Sequence, residues 1–376
     1  MMDFSQNMSM EEAFALAEAE AKLEQALADN KARFDNAALP NRYNEDWRFG
    51  RPNKYAAALA ETLQSNTPCN GETGVQHAGD AAVPVALAAN DDLRQTEMLM
   101  PTIGSDALLG LHLKRFGNGY ALYIEEDTKE PIRLTYKTSG LYTPATFIMV
   151  APGVKAHVIE QHCGTGACTM FATRNIQVAE GAELMVELSA DVDAGSYMVI
   201  TNIQNMGGKV KHLTELRGEW VREETIAEIY TPDADIQLYS ANRLTGNQVL
   251  DQHSRQIHHV GGSSSNLLYK NVVGDNATAI FAGNIYVAPA AHHTDAYQSN
   301  RNMLLSEKAT IHSLPGLEIL ADKVRCSHGS ASAPMDDEQL FYLCARGIPK
   351  HEAQLLVADG FLADATDKFR GNAQST

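Results

Sequence analysis

The sequence predicts a mainly β protein, a long body of short strands held between helical ends. From about Leu111 to Val324 the hydrophobic period is that of strands. Runs such as GYALYIEED, PIRLTY and TFIMVAPG are broken by Gly, Pro, Asp and Asn, with no helical stretch between them. Outside those limits, at both termini, the period is helical. A weak repeat also lies inside the β region. Val150-Ala151-Pro152-Gly153, followed by Val158, recurs 28 residues on as Val178-Ala179-Glu180-Gly181, followed by Val186. Asp275–Phe281 and Glu307–His312 echo the same rhythm of turn, small residue and strand at uneven spacing. Repetition of this kind suits stacked β coils capped at both ends. A jelly-roll or cupin-like barrel has strands of similar length, and periodicity alone does not separate the two.

At the amino terminus, Ser9-x-x-Glu12 has capping-box spacing and opens an alanine-rich helix to about Ala32. Leu16, Leu23 and Leu27 share one face, which Glu20 interrupts, so this is a docking helix more than a core helix. In LPNRYNEDWRFGRP (Leu39–Pro52), Trp47 reads as the anchor of a helical cap on the body. Ser65–Asp80 is rich in turn residues and reads as a loop, with Cys69 incidental in it.

The stretch Leu314–Ile348 closes the body. An apolar run (Leu317, Ile319, Leu320, Val324) ends the strand region, and a small polar turn carries Cys326 and His328. A helix then starts at Asp336 and stops at Gly347, where a left-handed cap suits glycine. Leu340, Phe341 and Cys344 form one stripe on it. Pro349 opens a second helix whose apolar face is Ala353, Leu356, Val357, Gly360 and Phe361. Three units follow: 1–104 helical with a loop, 105–324 the β core, and 325–376 helical.

With 376 residues the chain can bury a large core, and 44% apolar against 20% charged residues is a globular balance. A net charge of -17 argues against a nucleic-acid surface, which needs clustered Lys and Arg. No apolar run approaches the roughly 20 residues of a membrane span, and MMDFSQNMSMEE lacks the layout of a signal peptide. Five scattered cysteines, an odd number, favour reduced thiols and a cytoplasmic setting.

Several words of the sequence resemble the SufB/SufD family of iron–sulfur cluster assembly scaffolds. These are PGLEI (Pro315–Ile319), CSHG (Cys326–Gly329) and DDEQLFYLCARGI (Asp336–Ile348). Pro40, Glu45, Trp47, Arg48 and Phe49 resemble the SufD-type amino-terminal word. His253 and His258, followed by Ser265, Leu268, Tyr269 and Lys270, resemble another, and Phe281–Ser306 resembles the family's longest body word. The resemblance is closest to the SufD branch, because SufB-like scaffolds carry a cysteine where this chain has Asn300. Two departures stand out. Gly262 replaces a further histidine, and HGSASA places Ala331 and Ala333 where a threonine and a glycine are usual. The resemblance implies a right-handed parallel β-helix between two helical regions.

On residue types alone, Cys326-x-His328 is half of a tetrahedral metal site, and a buried Cys beside a hydrogen-bonded His is the plainer reading. The resemblance implies that His328 faces a SufB-like partner and helps hold a nascent iron–sulfur cluster at the seam, with Cys326 second and pointing into the coil. The resemblance implies that such a cluster is transient and that the isolated chain holds no cofactor tightly. The resemblance also implies that the carboxy-terminal helices dock a SufC-like ATPase, through Phe341, Arg346, Leu356 and Phe361. A homodimer of the isolated chain is compatible with it. Cys163-Gly-Thr-Gly-Ala-Cys168 reads as a turn with two buried cysteines, and His253 and His258 as packing residues.

Enzyme motifs fail on spacing. There is no phosphate-binding GxxxxGK[ST] around Gly207-Gly208-Lys209, Leu355 stands where a zincin helix opened by His351-Glu352 needs its second histidine, and no G-x-S-x-G elbow exists. The expectation is a non-enzymatic scaffold. The competing expectation is a cupin-like metalloenzyme with histidines converging inside a barrel.

Overall fold

The structure is a computed structural model that describes residues 25–52, 54–76, 82–87, 100–115 and 117–371. Its body is a β-solenoid of about eight turns with helices at both ends. The strands are β1 (Glu72–Gln76), β2 (Ala82–Leu87), β3 (Gly119–Ile124), β4 (Ile132–Thr138), β5 (Leu141–Tyr142) and β6 (Ala145–Val150). They continue as β7 (Lys155–Gly164), β8 (Thr169–Val178), β9 (Glu183–Asn205), β10 (Lys209–Ile229), β11 (Asp235–Leu244) and β12 (Val249–His258). The last are β13 (Ser264–Val273), β14 (Thr278–Val287), β15 (Asp295–Leu304), β16 (Thr310–Ile319) and β17 (Arg325–Pro334).

Two parallel ladders form the walls. One runs β4, β7, β9, β10, β11, β13, β15, β17. The other runs β3, β6, β8, β9, β10, β12, β14, β16. β9 and β10 are long enough to bend round a corner and serve both walls. At the first end β1 and β2 add antiparallel strands onto β4 and β3. A stack of parallel strands open at its far end is not a closed barrel, so the cupin-like alternative is set aside.

The 28-residue repeat is one coil. Val158 stands in register with Val186, and the Gly153 N–H donates to the Glu180 carbonyl at the shared corner. Gly153 and Gly181 both have positive φ there, 76° and 69°. Along the chain the repeat fades: some later left-handed corners hold Asp233, His293 and Lys323, others keep Gly246 and Gly262, and the coils change in length. Inside the coil, Ala156, Leu184, Val210 and Ile236 stack in register as a buried column. Each buried Leu, Val or Ile of this column contributes about 1.5–3 kcal/mol.

The helices cover the outside. α1 occupies 25–36, a 3-10 turn spans Glu45–Trp47, and α2 (Tyr55–Gln64) and α3 (Asp106–Lys114) follow. Trp47 is fully buried and stacks on Trp220 of β10, as expected of an anchor. The Ser9-x-x-Glu12 box, Leu16 and Leu23 lie outside the described residues. At the other end Asp336 caps α4 (Asp337–Ala345), its carboxylate accepting from the Glu338 N–H at 2.9 Å, and Gly347 is left-handed with φ 91°. Pro349 sits as the cap just before α5 (Lys350–Arg370). α5 lies against the first ladder, with Ala365 and Phe369 on Leu213, Tyr239 and Leu268.

Four expectations need correction. The turn carrying Cys326 and His328 is the strand β17, because ten in-register pairs with β15 hold small polar residues extended. The loop Ser65–Asp80 contains β1, held by pairing with β4 rather than by its own propensity. The β region does not start at Leu111, which belongs to α3. Phe341 leaves the Leu340 stripe, being 75% exposed while Leu340 is buried.

Candidate functional site

The last coil is built like those beneath it, and among the described residues no strand stacks above it. Among the described residues β16 pairs only with β14, and β17 only with β15. On β15, Ala296, Gln298, Asn300 and Asn302 point inward and are buried. In-register pairing puts Cys326, His328, Ser330 and Ser332 of β17 on the same inner side. The opposite wall does likewise, with Leu317 and Ile319 above Ile285 and Val287. The lower pair is 0% exposed and the upper pair 37%. Core residues of a coil are therefore uncovered. Across the mouth the Ser330 hydroxyl meets that of Ser313 at 2.7 Å.

Cys326 is half-buried and packs against Ile285, Val287, Ala291 and Ala296. Burial pushes its thiol pKa up, so it is protonated at neutral pH. His328 is exposed at the mouth. The two expected ligands thus stand on one inner column, two residues apart, with the histidine open and the cysteine turned into the coil. Among the described residues no group of three or more His, Cys, Asp or Glu side chains could hold a metal. A metal–sulfur species at this mouth would need ligands from elsewhere.

The other sequence candidates lie apart. Cys168 is buried and Cys163 half-buried at the end of β7. Cys69 touches the Thr143 hydroxyl. His258 is held inside by Ser263 and Ser265 at 2.8 Å each. His253 faces outward beneath the 3-10 turn, 2.8 Å from Asp251 and 2.9 Å from Arg222. Asn300 is buried beneath Ser330. On the helices, Phe361 packs into the α4–α5 core under Lys270. Leu356 is 53% exposed, and Arg346 stacks over Tyr342.

Two buried ionic groups escaped the sequence reading. Inside the coil the Glu160 carboxylate accepts from Thr146 and Arg174 and meets His162 at 2.8 Å. Outside it, Arg222 pairs with Glu224 and Asp251 and donates to the Asp46 and Ile103 carbonyls, which ties the amino-terminal segment down. Parity was the available signal for the first. Ala156, Val158, Glu160 and His162 share one side of β7.

The family described as "SUF system FeS cluster assembly, SufBD core domain" matches residues 133–361. The chain belongs to the SufBD family. Within it the chain is similar to the iron–sulfur cluster assembly protein SufD of Escherichia coli, 31% identical over 59% of this chain and 53% of that protein. A SufBD family protein of Mycobacterium leprae is 27% identical over 90% of this chain and 88% of its own length. The SufD of Bacillus subtilis is 38% identical over 32% of this chain and 28% of its own. The match spans about half of the E. coli relative's length. These likenesses place the chain on the SufD branch of the SufBD family. Among the described residues no helix is long and apolar enough to cross a membrane.

Proposed function

We propose that this SufBD family chain is a non-catalytic scaffold that joins a SufB-like partner through its open coil, and that a nascent iron–sulfur cluster is built at the seam. The uncovered inner column carries the reading. Leu317 and Ile319 repeat the pattern of a buried core, yet stand a third exposed. A partner of the same architecture supplies the missing layer. The cluster is the cargo, with His328 at the mouth as this chain's ligand and Cys326 behind it. Metal binding here would release the Cys326 proton, since only the thiolate is a ligand. The carboxy-terminal helices, with Phe341, Arg346, Leu356 and Phe361, are the proposed dock for a SufC-like ATPase, and residues 325–376 the unit that carries it. Without a SufB-like partner, a second copy of the chain is the natural cover for the coil.

The test is the double substitution Leu317→Lys with Ile319→Lys. Charges on the inner column should abolish co-purification with the SufB-like protein while the isolated chain keeps its melting temperature. Retained co-purification would overturn the pairing.

A further inference from the structure

We infer that Gln298 is a positioning residue for His328, its carboxamide oxygen fixing which imidazole nitrogen turns to the open mouth. The inference rests on the reading of His328 given above. Gln298 is 2% exposed. Its Nε2 donates across the coil to the Gly283 carbonyl at 3.2 Å and lies 3.5 Å from that of Gly316. Both contacts are acceptors, so the amide orientation is set and Oε1 points away from them. Among the described residues Oε1 has no hydrogen-bond partner.

A buried acceptor without a donor is costly, so a nearby donor is expected. Gly283 makes room for this amide, because a Cβ there would lie 2.6 Å from Oε1. The residue in register one strand further is His328, on the same inner side. Paired parallel strands lie about 4.8 Å apart, so the His328 side chain stands one layer above the Gln298 amide; the structure holds no bond between the two, and the inference is that the ring turns to make one. Cys326 sits over Ala296 and Ser330 over Asn300, so His328 is the side chain of this column that can bring an N–H to Gln298. One nitrogen donating to Oε1 leaves the other with its lone pair toward the seam. A second group commonly orients a metal-binding histidine in this way.

The experiment is nitrogen NMR on the full chain labelled at histidine, at a pH where imidazole is neutral. His328→Gln assigns the signal among the 13 histidines. The wild-type ring should favour one tautomer by roughly tenfold, the bias of one hydrogen bond. Gln298→Met should return the ratio to that of free histidine measured alongside, and Gln298→Glu, which keeps an acceptor oxygen, should restore the bias. A free-histidine ratio in the wild type, or an unchanged ratio in Gln298→Met, would overturn the inference. If Gln298→Met does not fold, the wild-type ratio still decides. No iron enters this measurement, so it can fail while the cluster role of His328 stands, and the reverse.

Discussion

Arg222 shows what a single buried charge does in this fold. It is fully buried, lies 4.0 Å over the Trp47 ring and neutralises Glu224 and Asp251. Arg222→Met would leave two carboxylates without a cation, at a cost of about 3–5 kcal/mol, and urea midpoints would register it. Titration works on the same scale. Burial alone would raise the pKa of Glu160, but Arg174 and His162 overcome it and hold the carboxyl at about 2, below its ordinary 4.5. The unfolded chain therefore takes up this proton first, and stability falls as pH drops from 4.5 toward 2. Burial, and then His259, depress His258 to about 4 from 6.5. Its contribution is full above 6.5 and is lost as pH falls through 4. Urea titrations should show both windows, and Glu160→Gln should flatten the lower one. An unchanged slope below pH 4.5 in that variant would contradict the assignment. None of this was evident from composition, since a Glu and a His between apolar neighbours look alike whether they face water or the coil. Only the parity with Ala156 and Val158 distinguishes them.

At the scale of the element, the caps were legible and the last strand was not. Asp336 and Gly347 act as local chemistry demands, and Trp47 anchors the amino-terminal cap as its sequence word suggested. In contrast, SHGSAS has little strand propensity, and Ser327–Ser332 is extended only because β15 pairs with it. The same logic hid β1. For α4 and α5 the structure changes how docking should be tested. Removing everything after Pro334 would strip Ala365 and Phe369 from Tyr239 and Leu268, so lost binding would not separate docking from damage. Phe341→Asp with Leu356→Asp touches exposed side chains and should cost no more than about 0.5 kcal/mol per site. Binding of a SufC-like ATPase should be lost at an unchanged melting temperature. Binding at the wild-type level would remove these residues from the dock.

For the whole molecule, the solenoid was foreseeable from one repeated coil only with the family words beside it. The uneven spacing that obscured the repeat comes from coils of unequal length, since Lys209 pairs with Asp235 but Ser264 pairs with Asp295, five residues further along its coil. The open end follows from stacking itself, because a parallel coil exposes its inner column wherever stacking stops. That leaves His328 exposed at the open mouth. The most direct test is the iron and acid-labile sulfide content of the complex assembled with SufB-like and SufC-like partners, with His328→Ala against wild type. The complex should still assemble, with both contents several-fold lower. Equal iron and sulfide in an intact His328→Ala complex would contradict the account.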